Sequence, residues 1–212
     1  MSAIILPKKL LIATNNKGKF TEIKSLLDQI NIEAISSFQF NIAEPEETGA
    51  NFAENSLLKA KFYGKKTGFF SLADDSGLCV EALNGTPGIH SARFTIDEKT
   101  GEKNFSLAFT KIFSELKKIG INSDKKIAAY FICNLSLFDP QTNFQISFEG
   151  RVDGKLIFPP RGNKGFGYDP IFIKSGMNKT FGEIDSEIKE KISHRSDAFN
   201  KLVAWIKENS NL

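Results

Sequence analysis

The chain contains two neighbouring carboxylates that could take part in metal chemistry. Asp74 and Asp75 stand where an apolar run ends, and Ser76 and Gly77 follow them. Adjacent acids repel each other, so they need a proton or a cation beside them in a folded protein. Magnesium suits them, because it takes hard oxygen ligands and is often shared between one or two carboxylates and substrate phosphates. The alternative is an exposed loop in which Asp or Ser caps a helix.

A polar segment lies between a predicted strand and a predicted helix. It consists of Thr14, Asn15, Asn16, Lys17, Gly18 and Lys19. The N-terminus of a helix presents free N–H groups and the positive end of a dipole, which favours a bound anion. Two lysines and a glycine strengthen this interpretation, although the spacing is not that of a Walker A loop. The alternative is a helix capped by Asn, with its lysines in solvent.

An acidic loop follows the second predicted strand. It contains Glu44, Pro45, Glu46 and Glu47. Loops of this composition are usually just solvated. A metal-binding role requires this loop to fold back onto Asp75.

Two later segments could bind a planar ligand. The first consists of Gly165, Phe166, Gly167, Tyr168, Asp169 and Pro170. Its glycines allow a close backbone approach and its aromatic rings can stack on a base, or else the rings fill the core. In the second segment, His194 and Arg195 could donate hydrogen bonds to carbonyl oxygens of a ligand. The alternative is that Ser193 caps the last helix and the pair lies on the surface.

Strands and helices that alternate must position these segments. We predict strands over residues 9–13, 33–37, 69–73, 127–138 and 145–152. We predict helices over residues 20–30, 51–66, 102–119 and 186–191, and a last one from about Asp197. Alternation early in the chain, followed by two long strands, predicts an α/β fold with a mixed sheet and flanking helices. We expect residues 1–212 to form a single domain.

Composition limits the classes of protein to which the chain can belong. Its 212 residues are 41% hydrophobic and 25% charged, as in an ordinary soluble domain. A net charge of +3 allows a small anionic ligand but is far from that of a dedicated nucleic-acid binder. Cys79 and Cys133 lack metal-ligand spacing, which fits a reducing compartment. The start is too short for a signal peptide and no run approaches a membrane span, so we expect a cytosolic protein.

Taken together, these segments resemble the inosine triphosphate pyrophosphatases, also called Ham1-like proteins, and the bacterial branch fits best. The matching segments are 13–19, 46–49 with Phe52 and residues 54–55, 73–78, 87–93, 165–172 and 192–195. Each motif is weak alone, but their shared order over nearly the whole chain is specific. One departure is Asn15, where bacterial members often carry glycine. Asn tolerates unusual backbone angles, so this change should cost little.

The resemblance implies a two-lobed domain on a long mixed sheet, with the active cleft between the lobes. It implies a homodimer that binds neither nucleic acid nor membranes. The implied reaction is magnesium-dependent hydrolysis of ITP, dITP and XTP to the monophosphate and pyrophosphate. This reaction removes deaminated purines from the nucleotide pool.

The resemblance also assigns roles to residues. Asp75 would be the general base and would contact Mg²⁺, and Glu46 would supply a second carboxylate. Further metal candidates are Glu44, Glu47 and Asp74. The triphosphate would be bound by Thr14, Asn15, Asn16, Lys17, Gly18 and Lys19, and we add Lys59 or Lys61 from the helix that opens at Asn51. Ser76 would donate a hydrogen bond to a phosphate or to the sugar. Phe166 would stack on the base, and the other base-binding residues would be Gly167, Tyr168, Asp169, Lys189, His194 and Arg195.

Three other functions compete with this interpretation. A pyrophosphatase of the Maf type would act on pyrimidine or modified triphosphates, but the Ser193–Arg195 motif argues against it. A nucleic-acid binder without catalysis would use its basic residues for the backbone and its aromatic loop for stacking. The clustered acids disfavour that function, because they repel phosphates in the absence of a metal. A structural metal protein leaves the conjunction of the motifs unexplained.

Overall fold

A computed structural model describes residues 6–122 and 126–209. Residues 1–5, part of the start in which we expect no signal peptide, lie outside this range. The strands are β1 (Lys9–Ile12), β2 (Glu33–Ser36), β3 (Ser71–Val80), β4 (Ile127–Phe138), β5 (Gln145–Leu156) and β6 (Phe172–Lys174). The α-helices are α1 (Lys17–Asp28), α2 (Phe52–Thr67), α3 (Phe105–Lys118), α4 (Ser186–Ile192) and α5 (His194–Asn209). None of the helices in the described ranges is long and apolar enough to span a membrane.

The six strands form one mixed sheet in the order β2-β1-β3-β4-β5-β6. Strand β1 runs parallel to both β2 and β3, whereas β5 and β6 are antiparallel. Parallel neighbours require a crossover, and α1 supplies it between β1 and β2. The predicted α/β fold with a mixed sheet is therefore confirmed.

The chain divides into two compact units. Among the described residues, the first unit comprises residues 6–75, 133–150 and 194–209. The second comprises residues 76–122, 126–132 and 151–193.

The first unit buries apolar side chains on both faces of its strands. On one face, Leu10, Ile12 and Leu72 pack in a cluster with side chains of α1 and α5. On the other face, Leu11 and Ala73 pack in a second cluster with side chains of α2. This alternation is the two-residue period of a strand, so consecutive residues of β3 face different helices.

The second unit has one core built around α3. Its buried members include Ala108, Ile112 and Leu116 of that helix, which recur at the spacing of one helix face. Phe131, Phe172 and Phe181 contribute ring contacts in the same core, which explains part of the high phenylalanine content.

Two of the sequence-based boundaries that the structure corrects bear on the candidate site. Strand β3 does not end before the acidic pair but continues through Asp74 and Asp75 to Val80. Helix α5 begins at His194, three residues before the predicted start, so His194 and Arg195 lie in its first turn. Both errors have the same cause. Charged residues usually mark the end of a strand or helix, but here partners distant in the sequence compensate the charges and allow the element to continue. The short strand β6 was not predicted.

Candidate functional site

The segment after β1 forms the N-terminus of α1, as the sequence predicts. The Asn16 side chain accepts a hydrogen bond from the Lys19 backbone N–H at 3.1 Å and caps the helix. The Thr14 hydroxyl accepts one from the Asn16 N–H at 3.1 Å, and Ser37 donates to the Thr14 carbonyl at 2.6 Å. These bonds fix the loop beneath the helix end, while Asn15 and Lys17 stay exposed. The arrangement is suited to hold an anion.

Asp74 projects from β3 toward α1 and α5 and is fully buried. Lys19 Nζ lies 2.5 Å from its Oδ1, and Arg195 Nε lies 2.9 Å from its Oδ2. The Cys133 thiol donates to Oδ2 at 2.9 Å. Burial alone would raise the pKa of Asp74, but Arg195 and Lys19 hold it well below its usual range. Asp74 is thus ionised at neutral pH and binds two cations and a thiol.

Arg195 links α5 to α1 as well as to the sheet. Its guanidinium is almost fully buried and also pairs with Glu22 through Nη1. Burial opposes the charge, but Asp74 and Glu22 raise the pKa of Arg195 further above its ordinary value. The arginine therefore stays charged and holds both carboxylates in place.

Asp75 projects from β3 toward α2, on the face opposite Asp74. Its Oδ1 lies 3.2 Å from Lys59 Nζ, which also pairs with Glu47 Oε1 at 2.6 Å. Lys59 is 3% exposed, so a cation lies buried between two acids. Burial disfavours the ammonium, but attraction by Asp75 and Glu47 raises the pKa of Lys59.

The second carboxylate oxygen of Asp75 differs from every other buried carboxylate oxygen in the described residues. Its Oδ2 is buried and has no hydrogen-bond partner there. Burial raises the pKa of Asp75, and Lys59 and Lys19 only partly offset this effect. Glu47 and Asp74 raise the pKa as well. A bare, buried carboxylate oxygen can accept a proton from a water beside it, which is what a general base requires.

The acidic residues fit a magnesium ion that is shared with a ligand. The described part of the chain has no preassembled cluster of three or more acid, histidine or cysteine ligands. Magnesium does not need one, because it keeps waters and takes one or two carboxylates together with substrate phosphates. The unpartnered Asp75 Oδ2 is a hard oxygen of this type, and Glu47 forms an ion pair with Lys59, the lysine that also pairs with Asp75. Glu44 and Glu46 are exposed.

The second unit contains the glycine-rich aromatic loop. The Phe166 N–H donates to Asp169 Oδ2 at 2.8 Å, and Lys189 Nζ lies 2.5 Å from the same oxygen. Gly165 has a φ of +69°, and a Cβ there would lie 2.1 Å from Asp169 Oδ2. Glycine is therefore required at 165, because both the backbone angle and the carboxylate exclude a side chain.

Phe166 is the half-buried ring of this loop. Lys189 Nζ lies 4.6 Å from its centroid, a cation–π distance. Tyr168, in contrast, is buried, and its hydroxyl donates to the Ser91 carbonyl at 2.8 Å. Phe166 is thus the aromatic side chain of the loop that a planar ligand can reach, whereas Tyr168 holds the loop on its own unit.

The structure brings some predicted residues together in each unit and leaves others apart. In the first unit, Lys19, Lys59, Asp74 and Asp75 form one charged network, because Lys19 acts on the pKa of Asp75 as well. His194 is buried at the start of α5. In the second unit, Asp169 and Lys189 pair, Gly167 adopts a φ of +68°, and Ser76 is half-buried. The roles of all these residues remain predictions.

Three residues of the sites escaped the sequence analysis. Glu22 lies 173 positions from Arg195, and Cys133 lies 59 positions from Asp74, so no local pattern reveals either pair. Tyr63 stands four residues after Lys59 in α2 and therefore shares its helix face. That spacing is the one signal in the sequence that could have identified it.

The fold and this geometry define an α/β protein with buried carboxylates beside a helix N-terminus that favours anions. A sequence model of the Ham1 family matches residues 10–205, and the chain belongs to that family. It is 46% identical over 199 residues to the dITP/XTP pyrophosphatase of Zymomonas mobilis, with 93% of this chain and 91% of that protein covered. Identity to the dITP/XTP pyrophosphatase of Bartonella quintana is 42%, with 93% and 95% covered.

Solved structures agree with this assignment. The chain is similar to a HAM1 protein from Coxiella burnetii, with a TM-score of 0.81, 33% identity, and 94% of this chain and 98% of that chain covered. The Staphylococcus aureus Ham1 protein gives a TM-score of 0.78 with 36% identity and the same coverage.

Proposed function

We propose that this protein hydrolyses the triphosphates of deaminated purines, ITP, dITP and XTP, to the monophosphate and pyrophosphate. The observation that carries the proposal is the Asp75 carboxylate, which has one bare buried oxygen while Lys59 holds the other. The family and the dITP/XTP pyrophosphatases among its relatives support the substrate class.

Attack of water on the α-phosphorus needs a base, charge neutralisation and a stabilised leaving group. Asp75 Oδ2 accepts the proton of the attacking water. Lys59 holds Asp75 through its other oxygen, so the bare oxygen keeps a fixed direction. The N-terminus of α1 binds phosphate oxygens. Asp75 and Glu46 would hold magnesium, with Glu47, which pairs with the same lysine as Asp75, as a further candidate ligand. The ion would neutralise the polyphosphate and let it approach these acids.

Recognition of the base is assigned to the aromatic loop and to donors that pair with a 6-oxo group. The half-buried ring of Phe166 stacks on the purine. Hypoxanthine and xanthine carry a carbonyl oxygen, a hydrogen-bond acceptor, at position 6, where adenine carries an amino group, which is a donor. Buried donors of the protein that pair with this oxygen would therefore remain unpaired when ATP binds, and this lowers the affinity for ATP. His194, Arg195 and Lys189 are the proposed donors. Arg195 is already paired with Asp74 and Glu22, so any contact with a base would have to share those bonds.

The direct test is pyrophosphate release from a panel of triphosphates with and without magnesium. We expect turnover of ITP, dITP and XTP, little turnover of ATP, dTTP or UTP, and loss of the rate after EDTA treatment. Preference for dTTP or UTP would favour a Maf-type activity. Release that persists after EDTA treatment would remove magnesium from the proposal.

The metal can be tested without turnover through Lys59. Replacing Lys59 by Gln leaves Glu47 and Asp75 as neighbouring acids without a cation, which repel each other. We expect magnesium alone to raise the melting temperature of the variant more than that of the wild type. Lys65→Gln, at an exposed lysine of the same helix, is the matched control and should respond to magnesium as the wild type does. An equal response of Lys59→Gln and wild type would contradict a metal at these carboxylates.

Assembly as a homodimer and a cytosolic location are further parts of the proposal. Analytical ultracentrifugation tests the first, with a sedimenting mass twice the 23.6 kDa of one chain as the expected result.

A further inference from the structure

Tyr63 lies on the face of α2 that carries Lys59. Its ring is fully buried in the cluster formed by Leu11, Ala13, Ala60, Ala73 and Phe138. Packing explains the ring, but phenylalanine would supply the same packing. The hydroxyl therefore needs an explanation of its own.

The hydroxyl of Tyr63 is buried and has no hydrogen-bond partner of normal geometry among residues 6–122 and 126–209. A buried polar group without a partner lowers stability, and native proteins contain few of them. Tyr168 provides the contrast, because its buried hydroxyl donates to the Ser91 carbonyl. A tyrosine with an unpaired hydroxyl suggests a partner that arrives from outside the chain.

Three polar side chains act on the hydroxyl, and they belong to the proposed phosphate and metal region. Asn15 from the loop before α1 lies close to it, and the charges of Glu44 and Lys59 act on it. Burial raises the pKa of Tyr63, so the group remains a protonated donor at neutral pH. Asn15 and Glu44 are themselves exposed, which places the hydroxyl beside side chains that a ligand can reach.

We propose that the Tyr63 hydroxyl belongs to the nucleotide site and donates a hydrogen bond to a phosphate oxygen held at the N-terminus of α1. This inference rests on the proposed function. It adds a binding residue on α2 and explains why that helix carries a tyrosine one turn after Lys59.

The test is Tyr63→Phe, which removes the hydroxyl and keeps the ring. We expect an unchanged or higher melting temperature without ligand, because no well-formed hydrogen bond to the hydroxyl is present among the described residues. Affinity for magnesium pyrophosphate, measured by calorimetry, should fall by roughly tenfold, and kcat/KM for ITP should fall by a similar factor, since the lost bond is to a charged acceptor.

Two other tyrosines serve as controls. Tyr130→Phe, in the second unit and outside the proposed site, should leave affinity for magnesium pyrophosphate unchanged. Tyr168→Phe should lower the melting temperature, because its hydroxyl has an internal acceptor. The inference is overturned if Tyr63→Phe lowers the melting temperature as Tyr168→Phe does, or if its affinity and kcat/KM equal those of the wild type. If the wild type itself does not hydrolyse ITP, the proposed function fails, and this inference fails with it.

Discussion

The charged network of the first unit and the aromatic loop of the second unit are built in different ways. Asp74 is held by Lys19, Cys133 and Arg195, which come from three distant parts of the sequence. The loop around Phe166 is instead held by a neighbour three residues away, Asp169, with Lys189 as the one distant partner. Buried charges need exact long-range compensation, whereas a tight turn needs local glycines. The first region should therefore be more sensitive to single substitutions.

Within the first region, Asp74 and Asp75 have opposite electrostatic character although they are adjacent. Alternation along β3 turns Asp74 toward two cations and Asp75 toward one cation that it shares with Glu47. The pKa of Asp74 falls and that of Asp75 rises. One acid is suited to hold structure together and the other to accept a proton.

The largest expected effect follows from removing the proposed base. Asp75→Asn should lower kcat for ITP by roughly a thousandfold, the usual contribution of a positioned general base. Binding of nucleotide with magnesium should persist. A rate within a few-fold of the wild type, measured as pyrophosphate release, would remove Asp75 from that role.

The same variant should not lose stability. The pKa of Asp75 is higher in the folded than in the unfolded protein. Its contribution to the free energy of unfolding is therefore complete at a pH below the unfolded-state pKa, and it is lost as the pH rises through the folded-state pKa. At pH 7 the ionised side chain therefore costs stability, and Asn removes that charge. We expect a melting temperature equal to or above that of the wild type.

Asp74→Asn should have the opposite effect on stability. It leaves the buried Arg195 and Lys19 without their shared carboxylate, and breaking a buried ion pair in this way costs about 3–5 kcal/mol. Chemical denaturation measures the loss. A cost below about 1 kcal/mol, as for a surface pair, would contradict the structural role of Asp74.

The acid limb of the stability curve sharpens this comparison. The pKa of Asp74 is lower in the folded than in the unfolded protein. Its contribution to the free energy of unfolding is therefore present at a pH above the unfolded-state pKa of about 3.9, and it is lost as the pH falls through the folded-state pKa. The wild type should therefore lose stability more steeply below about pH 4 than Asp74→Asn does. Parallel curves for the two proteins would show that Asp74 is not the group responsible.

The smallest expected effect concerns the second unit. Phe166→Ala should raise KM for ITP by about tenfold with little change in kcat, because stacking on a base contributes about 1–3 kcal/mol. Phe69→Ala, at an exposed phenylalanine of the first unit, is the matched control. An unchanged KM in Phe166→Ala would exclude stacking on this ring.

Much of the fold was predictable because its signals are local. Apolar runs identified β1 and β4, an alternating pattern identified most of β5, and β2 was predicted as well. The Asn51 cap located the start of α2. The full extent of β3 was not predictable, because a strand that buries two adjacent acids contradicts ordinary strand propensity. Its continuation depends on Lys19, Lys59 and Arg195, whose positions in space no sequence period reveals.

The sequence by itself determined the α/β class, the capped helix start after β1 and the glycine-rich loop at 165–167, since each follows from periodicity or from backbone angles that few residues adopt. It also supplied the residue types of the candidate site. Only the tertiary structure decided that Asp74 is neutralised by two cations while Asp75 keeps a bare oxygen. It also decided that Glu47 and Asp75 pair with the same Lys59, and that the Tyr63 hydroxyl has no well-formed hydrogen bond. The reason is physical, because pKa values and hydrogen-bond satisfaction depend on burial and on partners distant in the chain.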